Sequence, residues 1–344
     1  MTIGFIGLGV MGEPMCRNLL ARTDEELVVF DLRREPMERL AEAGASTAAS
    51  VAEVVRRADP ILLSMPGGPE LEAVVAGAGG VLETLAELRD GSGRSEPSAG
   101  ADGADGADGA DGADGANGVD GADGVGRLVI DHTTAPLALT RELAARCTEL
   151  GARYCDAPIA RTRQAAADGT LSIMVGGTAE AFAAAVPVLD LMATDVTHCG
   201  GVGSGQVTKL LNNMMLFQNV RAIAEAHAIA VGLDRRLGED LGLDVDTVFE
   251  VIAGASGGSF ALANHGRKSV LADDYPNEAF STVYAAKDLS YALELAGQAE
   301  VDAVGAVTVG ELLARTADAG YRNEYFPVMR KLLSPDRDAS PPPD

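Results

Sequence analysis

Lysine is nearly missing from this chain: only Lys209, Lys268, Lys287 and Lys331 occur, and the other 23 basic residues are arginine. Basic charge is short overall. Lys and Arg total 27 against 51 Asp plus Glu, a net charge of -24, so a polyanion such as DNA, RNA or an anionic membrane surface is repelled. Neither nucleic acid nor membrane is expected as a partner. The four cysteines, Cys16, Cys147, Cys155 and Cys199, form no C-x-x-C pair and sit in apolar or helical stretches, which argues against a disulfide framework or a zinc site. No metal site is expected. No apolar run approaches ~20 residues, and Met1 to Phe5 leads straight into a strand pattern with no basic, cleavable leader, so a cytoplasmic location is expected.

What is present suits a globular chain of about two domains: 344 residues, 47% apolar and 23% charged. Up to about residue 158, short apolar runs alternate with helical spacing, as a parallel sheet with crossover helices requires. The predicted strands are Ile3 to Gly7, Leu27 to Asp31, Ile61 to Met65, Leu128 to Asp131 and Arg153 to Ala157, with one more from Thr170 to Gly177. Residues 90–126 interrupt the pattern. Within them, Ala101 to Gly124 reads as eight triplets of Ala or Val, Asp or Asn, and Gly, without proline. Such a run neither builds a core nor a collagen helix, and it predicts a disordered insertion carrying -8 of the net charge. Beyond residue 177 the spacing becomes helical, with a long helix from Gln206 to Val231 and others over 244–254, 284–299 and 306–319. The proline-rich end, 334–344, is expected to be a disordered tail.

Gly7-Leu8-Gly9-Val10-Met11-Gly12 fits G-x-G-x-x-G, a spacing that 41 glycines would produce about 0.6 times by chance. Its context gives it weight. An apolar strand precedes it, a helix pattern follows, and the next strand ends in Asp31, 19 residues after Gly12. Gly7 permits a tight turn, Gly9 admits a pyrophosphate close to the backbone, and Gly12 lets the helix pack on the sheet. Asp31 would accept hydrogen bonds from ribose hydroxyls and repel a 2'-phosphate, which favours NAD; Arg33 and Arg34 keep NADP open. The reading is an α/β chain: a Rossmann-type doubly wound parallel sheet over 1–200, followed by an all-α domain over 201–333.

The opening Gly4 to Met15 resembles that of the β-hydroxyacid dehydrogenases, the family of 3-hydroxyisobutyrate dehydrogenase and tartronate semialdehyde reductase. Four further blocks match in order: Asp131-His132-Thr133-Thr134; Asp156-Ala157-Pro158 with Gly169-Thr170-Leu171-Ser172; Gly203 to Lys209 with Asn213; and Lys287-Asp288-Leu289. The resemblance implies reversible hydride transfer between a nicotinamide and a small anionic β-hydroxy acid or semialdehyde, by a homodimer or homotetramer. It makes Lys209 the general acid and base. Lys209, Asn212 and Asn213 fall on one helix face at i, i+3 and i+4, and a buried amine can give and take protons near neutrality, which Arg cannot. Gly7, Leu8, Gly9, Val10, Met11, Gly12, Asp31, Met65, Pro66, Thr134 and Lys287 are the implied cofactor contacts. Thr133, Thr134, Arg161, Thr162, Asn212 and Asn213 are the implied substrate contacts.

One departure bears on the substrate. Where most members follow Asp-Ala-Pro with a Ser-Gly-Gly turn, this chain has Ile159-Ala160-Arg161-Thr162, an Arg-Thr variant similar to sulfolactaldehyde reductase. A guanidinium fork suits carboxylate, sulfonate or phosphate oxygens. Two alternatives stay open: a dinucleotide-binding scaffold without turnover, and an imine reductase.

Overall fold

The computed structural model of the chain describes residues 1–92, 126–277 and 279–333. Most of the expected repeat insertion and all of the expected tail lie outside these residues; of the insertion, residues 90–92 close the helix Val81–Ser92. Among the described residues nine strands form one sheet: β1 (Thr2–Ile6), β2 (Glu26–Phe30), β3 (Ser46–Thr47), β4 (Ile61–Leu63), β5 (Leu128–Asp131), β6 (Arg153–Asp156), β7 (Ile159–Ala160), β8 (Leu171–Gly176) and β9 (Ala193–Gly200). Their order is β3-β2-β1-β4-β5-β6-β8-β7, with β9 also on β8. From β3 to β6 every pairing is parallel; β8 turns antiparallel to β6 and β7.

Strands buried on both faces explain the apolar runs by which they were legible. In β1 and β2, Ile3, Phe5, Leu27 and Val29 pack into one helical layer, while Ile6 and Val28 face the other. The chain winds outward from β1 in both directions, so the order reverses between β1 and β4. Doubly wound sheets hold their ligands at such a reversal, in a crevice beyond the carboxyl ends of the strands. Three strands escaped the sequence reading. β3 and β7 are two residues each, and β9 (ATDVTHCG) is a largely exposed edge without apolar alternation.

The second half is helical as expected, with corrected bounds. The long helix runs from Ser204 to Leu241, 38 residues, ten past its expected end, and stops where Gly242 adopts a left-handed φ of 56°. Gly232 and the Arg-rich stretch after it do not interrupt the helix. A further turn, Leu262–Leu271, is π-helical and gave no 3.6-residue signal. Phe217 of the long helix packs against Phe280 and Phe326 at the centre of this core, joined by Leu289 and Leu313. All four cysteines are free thiols. Among the described residues no helix is long and apolar enough to cross a membrane, and no cluster of His, Cys, Asp or Glu could hold a metal.

Candidate active site

The glycine turn between β1 and the helix Gly12–Arg22 is built as the sequence required. Gly7 has a φ of 96°, and a Cβ there would lie 2.3 Å from the Ser64 carbonyl oxygen. At Gly12 a Cβ would fall 2.0 Å from the Gly7 oxygen, so the helix can meet the strand only without a side chain. Gly9 is different: a Cβ there would meet nothing within 4 Å. Open space at that glycine, beside a helix start that no side chain caps, fits a dinucleotide pyrophosphate, which would take those N–H groups. Glu13 in the same first turn does not oppose an anion unscreened. Arg39, with Arg17 beside it, clamps its carboxylate and holds it down to about 2.

Asp31 follows β2 and receives the Leu8 N–H at 2.7 Å, tying the turn to the ribose position. Arg33 folds back over it, its Nε 3.1 Å from Oδ1 and its Nη2 3.1 Å from the Leu8 carbonyl. Burial pushes the Asp31 carboxyl up, but Arg33 and the Leu8 and Arg33 N–H groups outweigh it and hold the group below its ordinary value. Leu8 itself points into the core, so only its backbone can face a cofactor. Val10 is exposed at the turn, and Met11 is half-buried.

Across the crevice, Lys287 on the helix Thr282–Gln298 reaches both loops at the carboxyl ends of β4 and β5. Its ammonium donates to the Pro66 carbonyl at 2.7 Å and to that of Thr134 at 3.4 Å, and pairs with Asp288 at 3.1 Å. The rings of Tyr284 and Tyr291 flank it, each 5.6 Å away. Met65 is half-buried beside this contact, and its N–H donates to the Thr133 hydroxyl at 3.1 Å. That corrects the role expected of Thr133: the residue is 1% exposed and supports the loop, leaving Thr134 as the threonine that faces the crevice.

Lys209 lies one helical turn before Asn212 and Asn213. It is partly buried, and it makes no hydrogen bond or ion pair with the described residues, unlike Lys287. Asn213 is buried, and its amide donates to Asp288 Oδ2 at 2.8 Å; the exposed Asn212 donates to Asn213 at 3.1 Å. Thus Asn213 supports Asp288 rather than facing a substrate. Burial lowers the pKa of Lys209; the charge of Asp288 opposes this, and that of Lys287 adds to it. Lys209, Lys287 and Asp288 therefore feel one another at the crevice that Lys287 bridges.

Beneath these loops two carboxylates lie side by side, Asp131 closing β5 and Asp156 closing β6. Asp131 accepts from the Thr133 N–H at 2.9 Å and the Tyr154 hydroxyl at 2.8 Å. Asp156 accepts the N–H groups of Gly203 and Gln206 and so holds the start of the long helix. Sequence reading gave these acids no role, although an acid ending a buried strand was the available signal. Burial pushes Asp131 up to about 6; its hydrogen bonds pull the other way, and Asp156 adds to the rise. A raised acid stabilises the fold fully below its ordinary value near 4 and loses that contribution as the pH climbs through about 6. The Tm advantage of the wild type over Asp131→Asn is therefore expected to shrink between pH 4 and 7, by the equivalent of roughly 3 kcal/mol. A constant difference across that range would contradict it.

The Arg-Thr loop adopts a geometry that the sequence did not reveal. Arg161 has a φ of 84°, a conformation suited to glycine. Its guanidinium is not free: it donates to the Thr194 hydroxyl at 2.8 Å, the Thr170 carbonyl and the Asp195 carboxylate. Thr162 caps the helix Arg163–Asp168, its hydroxyl accepting from the Ala165 N–H. Both expected substrate contacts thus have structural partners in this form. His132 is buried with Nδ1 on the Ala157 carbonyl, a structural histidine.

Known proteins share this sequence pattern and fold. Residues 2–89 and 105–201 match the model of the NAD binding domain of 6-phosphogluconate dehydrogenase, and 203–332 match the NAD-binding model of NADP-dependent 3-hydroxyisobutyrate dehydrogenase. The chain is 30% identical to the NAD-dependent L-serine dehydrogenase of Pseudomonas aeruginosa, over 97% of this chain and 98% of that one. It is 29% identical to human mitochondrial 3-hydroxyisobutyrate dehydrogenase, over 96% of this chain and 86% of the human one. A solved structure of Mycobacterium tuberculosis 3-hydroxyisobutyrate dehydrogenase with L-serine superimposes at a TM-score of 0.74 with 28% identity, covering 96% and 98% of the two chains. Imine reductase structures share only the fold, at 16–18% identity. The chain belongs to the β-hydroxyacid dehydrogenase family and is a nicotinamide-dependent oxidoreductase acting on hydroxyl groups.

Proposed function

We propose that this enzyme interconverts a small anionic β-hydroxy acid and its semialdehyde, with residues 1–200 holding the dinucleotide and Lys209 acting as general acid and base. The observation that carries the reading is an ammonium with no partner among the described residues, on a crevice-side helix face, in a chain where Arg serves nearly everywhere else. The dinucleotide, when bound, supplies or accepts the hydride. The protein's part is the proton. As the hydroxyl carbon is oxidised, neutral Lys209 takes the hydroxyl proton; in reduction the ammonium returns one to the forming alkoxide. Lys287 clamps Pro66 and Thr134 and so fixes the crevice walls.

Asp31 supports NAD as the preferred dinucleotide, because its carboxylate stands where a 2'-phosphate would be repelled; Arg33, four-tenths buried over it, is the residue that would have to swing for NADP. Arg161 supports an anionic substrate, which would draw the guanidinium from exposed Asp195. Four substrates test this with NAD and NADP: 3-hydroxyisobutyrate, L-serine, 2-(hydroxymethyl)glutarate and, in the reductive direction, 3-sulfolactaldehyde. Arg161→Ala is expected to raise KM for the preferred anion about tenfold or more, with NADH affinity unchanged. Equal KM values would remove Arg161 from the site.

The reading includes pairing of chains in a cytoplasmic homodimer or homotetramer. The outer face of the long helix supports it: Leu211, Met215, Ile229, Leu233, Leu237 and Leu241 are all exposed along one stripe, with Ala222 and Ala226 between them. Large contiguous apolar faces mark interfaces. Sedimentation of Ile229→Asp/Leu233→Asp is expected to show monomers where the wild type associates; a monomeric wild type would refute the pairing.

A further inference from the structure

The three residues Thr133–Ala135 connect β5 to the crevice, and four of their six polar backbone groups are held by side chains. The Thr133 N–H goes to Asp131 and the Thr134 carbonyl takes Lys287. The remaining two contacts come from one side chain. Gln206, fully buried in the first turn of the long helix, donates its Nε2 to the Thr133 carbonyl at 2.6 Å and accepts the Ala135 N–H on Oε1 at 3.2 Å. Its own N–H is fixed on Asp156 Oδ2 at 2.9 Å.

An amide that bonds the residues on either side of Thr134 grips that residue from behind, as a neighbouring strand would. Thr133 and Ala135 are buried and Thr134 is half-exposed, so the grip leaves the Thr134 side chain as the part of the loop presented to the crevice. Gln206 and Lys209 are three residues apart, one turn on the same helix. The helix that carries the proton-transferring amine therefore also sets the position of the loop opposite it, through a single rigid turn.

We propose that Gln206 is a positioning residue: it fixes the distance between Thr134 and Lys209 and so governs the reaction without touching substrate or cofactor. The proposal rests on the dehydrogenase reading above. Among the described residues, no other side chain offers a donor and an acceptor to this loop at once. Leucine or methionine at 206 would leave the buried Thr133 carbonyl and Ala135 N–H without their partners, freeing the loop to shift by the few tenths of an ångström that hydride and proton transfer do not tolerate.

The test is a double-mutant cycle on turnover of the best substrate of the panel above with its preferred dinucleotide, using Gln206→Met, Thr134→Val and both together. Gln206→Met is expected to lower kcat by 10- to 100-fold with NAD affinity, measured by fluorescence quenching of NADH, changed less than threefold. The double variant is expected to be no slower than the slower single one, because both changes strike the same contact. Gln206→Glu keeps the acceptor for Ala135 and is expected to restore part of kcat. Multiplying effects in the double variant would overturn the proposal, as would a Gln206→Met enzyme that keeps wild-type kcat. If Gln206→Met does not fold, Gln206→Glu takes its place in the cycle under the same two criteria. Lys209→Ala is run alongside: wild-type turnover in that variant would instead remove Lys209 as the proton-transferring group, the reading on which the proposal rests.

Discussion

Lys209→Ala is expected to abolish turnover, lowering kcat by roughly 10²–10⁴-fold while leaving NADH affinity within twofold. The separation follows from geometry. The proposed cofactor contacts come from the glycine turn, Asp31 and Lys287, none of which hydrogen-bonds Lys209. Lys209→Arg is expected to be as inactive as the alanine variant, since a guanidinium keeps its proton at any pH at which the fold survives. The pH profile gives a second check. Burial lowers the pKa of Lys209 from its ordinary value, so the neutral amine needed for oxidation appears at lower pH than a surface lysine would allow. Oxidation is expected to rise with pH through that lowered value and reduction to fall through it, and neither limb should persist in residual Lys209→Ala activity. Lys209→Met should also melt no lower than the wild type, because a desolvated ammonium that no described residue hydrogen-bonds costs stability that an apolar chain of similar length does not. An alanine variant that keeps full kcat would transfer the proton chemistry to another group.

Much of the fold was legible because its signals are local. Strands buried on both faces read as apolar runs, and the helical half read through 3.6-residue spacing. Gly7, Gly9, Gly12 and Asp31 were legible as a group because each solves a steric or electrostatic problem at a fixed chain distance. What escaped was long-range. β9 is paired to β8 but bare on its outer edge, so nothing in its own residues marks it. Gln206 and Asp156 act on partners 47 to 73 residues away, and such contacts leave no periodicity. Arg161 shows the limit most plainly. Its charge was visible and its attraction to an anion was sound chemistry, yet the anion that it meets in the folded chain is Asp195, 34 residues on. Thr133 and Asn213 were placed in the right loop and on the right helix, but only the fold shows that their side chains turn inward.

The glycines of the first turn give the last expectation, and the sharper for being a contrast. Gly9→Val and Gly12→Ala each add a side chain within three residues of one another, yet they should fail in different ways. At Gly9 an added Cβ meets nothing within 4 Å, and its φ lies outside the left-handed range, so the valine variant should fold and melt within a few degrees of the wild type. It occupies the space left for the pyrophosphate, however, and NADH affinity is expected to fall at least 100-fold. At Gly12 even a methyl group lies 2.0 Å from the Gly7 oxygen, a backbone atom that cannot rotate away. The helix Gly12–Arg22 must then lift from the sheet, taking the fully buried Met15 and Leu19 with it, and a loss of several kcal/mol is expected from overpacking and lost burial together. Thermal melts and NADH titrations on both variants decide the matter. Tight NADH binding by Gly9→Val would mean that the empty space beside Gly9 is not where the phosphates lie. A Gly12→Ala variant as stable as the wild type would mean that the Gly7 carbonyl does not bar a side chain at position 12.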